Sequence, residues 1–175
     1  RRSQIGTETL NKVLQEALNP LQPGEAEFTY GSVTFRVGDK VMQLKNDYQK
    51  EVFNGDVGRV IYIDPENGEL IVSYPVEDGE RKVVYDRAEL DELTLSYAIS
   101  VHKSQGSEYP AIIMPVTFVA PTLRTRNLLY TAITRAKRLV VLVGQKRALQ
   151  AFIASKDESI RYSGLAFRLV NLPQY

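Results

Sequence analysis

Residues 100–110 read SVHKSQGSEYP and contain the only histidine in the chain. Ser100, His102 and Lys103 offer donors of three different reaches, and Glu108 offers one fixed acceptor. Gln105-Gly106 adds a backbone that a ligand can approach closely. That set suits phosphate and sugar. A second stretch, residues 128–144, reads LLYTAITRAKRLVVLVG. Leu128, Leu129, Ala132, Ile133 and Ala136 share one helical face, which anchors the helix to a core and places Thr134-Arg135 near its end. A guanidinium stays charged at every relevant pH and presents a planar donor fork, suited to the charge that builds on a transferring phosphoryl group; a lysine does not match that geometry. Taken singly, each stretch also fits a plainer role. The first reads equally as a polar helix start closed by a glycine, and Arg135 as one half of a surface ion pair near a helix end.

The surrounding pattern says what must hold these residues. Leu10, Val13, Leu14, Ala17 and Leu18 recur at helical spacing, with Thr7 as the expected N-cap and Asn19-Pro20 as the stop. The period then becomes two. KVMQL, GRVIYI, ELIVSY and RKVVY are short β-rich runs separated by turn residues, with no helix between them. They predict an antiparallel meander or small barrel of SH3-like size over residues 36–92. Lys45, Tyr48 and Lys50 lie in or beside its loop 46–55, where cations interleaved with an aromatic suit a nucleic-acid strand as well as an ordinary solvated hairpin. Beyond Asp91 the reading alternates. LTLSYAIS reads as a strand, VHKSQG as a short helix start, AIIMPV as a strand, TRNLLYTAITRAK as a helix, RLVVLVG as a strand and QKRALQAFIAS as a helix. RYSGLAFRLVNLPQY reads as one more short helix with a frayed end. This alternation predicts a parallel α/β sheet that the first helix joins, so the β-rich segment is an insertion within it. Ligands of open α/β sheets sit at the carboxyl ends of strands, and SVHKSQGSEYP falls where LTLSYAIS ends.

Composition narrows the classes. The 175 residues suit one domain carrying a small insertion, and a net charge of +1 confines any nucleic-acid surface to a local patch. The absence of cysteine removes disulfide frameworks and zinc knuckles and is compatible with a reducing, cytoplasmic setting. No apolar run nears the roughly 20 residues a membrane span needs, and no signal-peptide core follows RRSQIGTETL, so the chain reads as soluble. A start without methionine suggests a piece of something longer. No GxxxxGK[ST] occurs, so the sequence encodes no phosphate-cradling loop and no hydroxyl from one to ligate a metal. LDEL, residues 90–93, lacks the preceding buried strand of an acidic nucleotide-site pair and reads as a solvated turn.

In order, spacing and wording, AISVHKSQGSEYP followed by LLYTAITRAKRLVVLVG resembles motifs V and VI of superfamily I helicases, most closely the RecD/TraA-type branch. RRSQIGTETLNKVLQEALNP is similar to the start of that family's second RecA-like domain, and RVGDKVMQLKNDYQKEVFNGDVGRV to the start of its SH3-like insertion. The resemblance implies a RecA-like domain over residues 1–35 and 93–175, interrupted by an SH3-like barrel over 36–92. It also implies the C-terminal motor part of an ATP-dependent helicase moving 5′ to 3′ on single-stranded DNA. On that basis Arg135 is the arginine finger, Gln105, Gly106 and Glu108 line the ATP cleft with Glu108 near the ribose, and Ser100 and His102 face the DNA backbone. Lys103 is a further DNA-side candidate. Serine at position 100 departs from the threonine common in the family, and Arg1 and Arg2 stand where some members place a γ-phosphate arginine. The resemblance assigns no metal ligand here: ATP and Mg2+ are expected to be held mainly by an N-terminal RecA-like lobe of the same protein. Two other readings stay open, an SH3-like module binding peptide or nucleic acid without enzymatic role, and an RNA translocase.

Overall fold

The computed structural model describes residues 5–117, 119–120, 123–155 and 164. The expected C-terminal helix falls almost wholly outside them, as do Arg1 and Arg2. The chain divides into two compact units, Arg1–Gly106 and Ser107–Tyr175.

The first unit opens with helix α1, Thr7–Leu18. Its N-cap is Gly6 rather than Thr7, with no side-chain capping bond. Its packed face also differs from the expected one. Asn11 and Gln15 are buried, whereas Val13 is 59% and Leu18 67% exposed and Leu10 and Leu14 are half-buried. The reason is what α1 packs against: polar groups of Thr34, Asp39 and Ala98, which reward amides that can bond to them and would be left unsatisfied under leucine. A hairpin absent from the sequence reading follows, β1 Glu27–Tyr30 with β2 Val33–Arg36, turned at Gly31, whose φ of 60° is left-handed.

Four further strands coincide with the predicted β runs: β3 Lys40–Gln43, β4 Val57–Asp64, β5 Glu69–Val76 and β6 Gly79–Tyr85. With β7, Leu93–Leu95, they make an antiparallel sheet in the order β6-β5-β4-β3-β7, with a register shift between Val60 and Tyr62 that bends β4. The run LTLSYAIS is thus a strand only over its first three residues, and it pairs with β3 of the antiparallel sheet rather than with a parallel neighbour. Side-chain alternation turns Phe35, Val41, Val60, Leu70, Val72, Tyr85, Leu90 and Leu93 into one core. Two phenols sit in it. Tyr74 and Tyr85 share a 2.8 Å hydrogen bond, and Tyr85 donates to Gln43 Oε1, whose amide nitrogen reaches Glu92. Burial pushes the Tyr74 phenol up to about 12 and raises that of Tyr85 as well, so both remain neutral donors within the chain of bonds. LDEL closes the sheet as a 3-10 turn, Leu90–Glu92, with Leu90 and Leu93 in the core and Asp91 outside.

The second unit is a βαβ crossover with a further helix. Strands β8, Tyr109–Val116, and β9, Ala136–Gly144, run parallel, joined through helix α2, Arg126–Ile133, and followed by helix α3, Lys146–Ala154. Thr125 caps α2, its hydroxyl accepting from Leu128 N. Val116, Leu129, Ala148 and Phe152 pack one face of the sheet against the helices. Ile113 at 72% and Leu139 and Val143 at 55% are exposed on the strands. Parallel sheets normally carry cover on both faces, so the described residues hold only part of a RecA-like lobe. Gly144 closes the turn into α3 with φ 154°, and an added Cβ there would lie 1.8 Å from the Val116 carbonyl oxygen. That oxygen accepts from Gln145 N. We predict that Gly144→Ala costs about 2–4 kcal/mol, because neither backbone can give without losing the β8–β9 register. Denaturant unfolding checks this, and a loss within about 0.5 kcal/mol would refute it.

Candidate functional site

Residues 100–106 form a series of turns rather than the start of a helix. The Ser100 carbonyl accepts from Lys103 N at 3.0 Å and Ser104 N at 3.1 Å, while Ser100 Oγ accepts from Lys103 N at 3.3 Å. Ser104, which sequence reasoning passed over, is buried and donates its hydroxyl to the Val101 carbonyl at 2.7 Å. Gly106 ends the series at φ 84°, a conformation side chains resist. The outcome is a tightly wound turn whose interior is satisfied by its own backbone. Ser100, His102 and Gln105 point into solvent, and Lys103 Nζ lies 3.4 Å from Asn54 Oδ1. Through that contact the turn adjoins loop 46–55 within one unit.

The loop is a braced platform. Asp47 bridges to Val52 and accepts from Gln49 N and Lys50 N, Asn46 accepts from Asn54 N, and Asp56 accepts from Phe53 N. Tyr48 stands out from it 76% exposed, edge-on to Phe53 with ring centres 5.9 Å apart. The cations beside it already hold partners. Lys45 pairs with Asp91 at 2.8 Å, which raises its pKa, and Lys50 pairs with Glu89 at 2.5 Å while lying over the Tyr85 ring. Lys45 therefore has to exchange Asp91 for a phosphate if it touches a strand, a modest cost for an exposed pair.

Arg135 is not on α2. The helix ends at Ile133, Thr134 is its C-cap, and Arg135 follows on the link to β9. The link is nonetheless fixed: Arg135 N donates to the Ala132 carbonyl at 3.2 Å, and the Arg135 carbonyl accepts from Tyr109 N at 2.8 Å. The guanidinium makes only long contacts to neutral oxygens, Nη1 to Ser107 O at 3.4 Å and Nη2 to Thr134 Oγ1 at 3.5 Å, and its buried Nε has no partner. Among the described residues no carboxylate pairs with it. Glu108 is taken instead by Lys137 at 3.0 Å, both side chains being exposed. An uncompensated, donor-rich fork on a fixed backbone fits an incoming phosphoryl oxygen. The structure thus brings Glu108 and Arg135 to the amino-terminal ends of β8 and β9, rather than to the carboxyl ends of strands expected for a ligand of an open α/β sheet, and leaves Gln105 and Gly106 in the other unit. Among the described residues no three carboxylate or imidazole groups converge as a metal site.

Two family models match the chain, and the second begins inside the first compact unit. Residues 10–74 match a family described as the SH3 domain of ATP-dependent RecD-like DNA helicases, and residues 95–143 match the UvrD-like helicase C-terminal domain. The chain is 36% identical to the ATP-dependent RecD2 DNA helicase of Deinococcus radiodurans over 159 residues, covering 91% of this chain and 21% of that protein. The chain belongs to the RecD-like helicases of superfamily I. It is also 32% identical to the RecBCD subunit RecD of Mycolicibacterium smegmatis over 174 residues, covering 97% of this chain and 28% of that protein. With the conjugal transfer protein TraA of Agrobacterium fabrum it shares 33% identity over 105 residues, 60% of this chain and 9% of that protein. It therefore spans less than a third of these RecD-like relatives. A solved Bacteroides Pif1 bound to single-stranded DNA shares its fold at a TM-score of 0.54 and 20% identity, over 94% of this chain and 43% of that one.

Proposed function

We propose that this segment is the second motor lobe of an ATP-dependent, 5′ to 3′ DNA helicase, with residues 1–35 and 93–175 forming the RecA-like part and 36–92 the SH3-like insertion. The observation that carries the reading is Arg135: a residue whose main chain is fixed by hydrogen bonds and whose guanidinium has no carboxylate partner among the described residues, in the TRA stretch that resembles motif VI. In this reading Arg135 reaches the γ-phosphate of a nucleotide bound on the N-terminal lobe and neutralises the charge of the transition state. Gln105 and Gly106 of the first unit and Glu108 of the second are the further nucleotide-binding candidates in this reading. Bound Mg2+ would neutralise β- and γ-phosphate oxygens from ligands outside this segment. Ser100 and His102 contact the phosphate backbone of the strand, Lys103 joins them, and Tyr48 offers a stacking face beside the turn.

Titrating matched single-stranded DNA and RNA against the full-length protein tests the partner. A preference for RNA, or binding of neither, would overturn the DNA reading. Within it, Tyr48→Ala combined with Lys45→Ala weakens single-strand binding about tenfold, most of it through Tyr48, since stacking is worth about 1–3 kcal/mol and Lys45 starts ion-paired. The slope of log affinity against log salt falls by less than about one, and an unchanged affinity would remove the loop from the strand's path.

A further inference from the structure

The backbone entering the 100–106 turn is held from the side by α1. Asn11, buried near the middle of the helix, donates Nδ2 to the Ala98 carbonyl at 2.9 Å and accepts from Ala98 N at 2.8 Å. One carboxamide thus exchanges both bonds with Ala98 as a neighbouring strand would, three residues after β7 has ended. The residues on either side of that path are tied as well. Ser96 N donates to the Lys40 carbonyl at 2.8 Å, and Tyr97 donates its hydroxyl to Asp39 at 2.8 Å. Asp39 is fully buried and also accepts from Gln15, Asn19 and Arg36 N, so the same helix that carries Asn11 anchors the carboxylate that holds Tyr97. Ser100 comes two residues after Ala98, and no strand pairing fixes it.

We propose that Asn11 is a positioning residue for single-strand binding: by clasping Ala98 it sets where the exposed Ser100 and His102 stand, which makes α1 a strut for the turn. This rests on the reading that the turn faces the strand. It explains why a helix with an apolar stripe buries its amides instead. The side chain on that stripe would pack, but it would leave the Ala98 N–H and carbonyl unpaired.

The test uses the full-length protein and reads the single-stranded DNA concentration that half-saturates stimulation of ATP hydrolysis, together with turnover at saturation. Asn11→Asp keeps the shape and the acceptor for Ala98 N but sets a carboxylate oxygen against the Ala98 carbonyl. It raises the half-saturating concentration about tenfold with saturated turnover changed less than about twofold, the signature of lost binding rather than lost chemistry. Asn11→Ser, which keeps one shorter polar contact, gives a rise of about threefold and serves if the aspartate variant is too unstable. Gln15→Ala is the control for helix anchoring without the Ala98 clasp: it loosens Thr34 and the Asp39 that holds Tyr97 but leaves both Asn11–Ala98 bonds in place, so it lowers melting temperature without moving half-saturation. Equal shifts from the Asn11 variants and Gln15→Ala at equal loss of melting temperature would overturn the proposal. His102→Ala separates the two layers. If it weakens half-saturation while the Asn11 variants do not, positioning by Asn11 is wrong; if neither does, the strand-facing turn is wrong and the proposal falls with it.

Discussion

Arg135→Ala in the full-length protein is expected to abolish DNA-stimulated ATP hydrolysis and unwinding, lowering turnover by about 10³ to 10⁵-fold while the fold and most single-strand binding survive. The magnitude follows from the task. A guanidinium aimed at a transferring phosphoryl group stabilises charge that exists only in the transition state, so its loss appears in rate rather than in affinity. The structural role being removed is small: two contacts of 3.4 and 3.5 Å to neutral oxygens and no ion pair among the described residues. Melting should therefore shift little. The backbone bonds to Ala132 and Tyr109 are independent of the side chain, so the link between α2 and β9 keeps its course in the variant. Arg135→Lys restores little, because a point charge cannot reproduce the planar fork. Steady-state hydrolysis at saturating single-stranded DNA, set beside thermal melting, decides the matter. A variant that melts normally and keeps more than about a tenth of the parent rate returns Arg135 to the surface.

The isolated 175-residue segment is expected to hydrolyse ATP no faster than buffer. Its sequence has no GxxxxGK[ST] loop, and among the described residues no acidic or imidazole cluster could hold a metal. An arginine that stabilises a transition state supplies nothing when no site binds the nucleotide and orients water, since positioning and charge neutralisation act together in phosphoryl transfer. Single-strand binding by the segment is expected to be weak at physiological ionic strength, because the turn and loop contribute few phosphate contacts and salt screens each of them. Turnover above background from the purified segment that is absent from an identically prepared Arg135→Ala segment, which excludes a contaminating ATPase, would refute the division of labour between lobes.

Local period made most strands legible. KVMQL, GRVIYI, ELIVSY and RKVVY each became a strand because alternating side chains between turn residues leave the backbone few other ways to bury one face. AIIMPV and RLVVLVG were legible as short apolar runs, and α2 and α3 from apolar residues at helical spacing. The β1–β2 hairpin was missed although FTYGSVTF alternates around a glycine, a signal the loop-like PLQPGEAE before it obscured. Of the candidate site, residue types were visible but partners were not. Nothing in the sequence pairs Glu108 with Lys137, Lys45 with Asp91, or leaves Arg135 without a carboxylate among the described residues. Asn11 and Gln15, four apart on a helix, were a readable signal of a polar face, outweighed by the leucines beside them.

What the sequence alone determined is the set of groups and their order: a polar run at 100–110, an arginine near the end of an anchored helix, a β-rich segment ahead of both, and no GxxxxGK[ST] loop. These are properties of neighbours in the chain, and short-range sterics and hydrophobic period express them without help. Tertiary structure decided which face of α1 is buried, which sheet LTL joins, and where Arg135 leaves its helix. Each of those depends on a partner distant in sequence, Ala98 and Asp39 for α1, β3 for β7, Tyr109 for Arg135, and a buried polar group takes whichever arrangement satisfies its hydrogen bonds even when the local apolar pattern favours another.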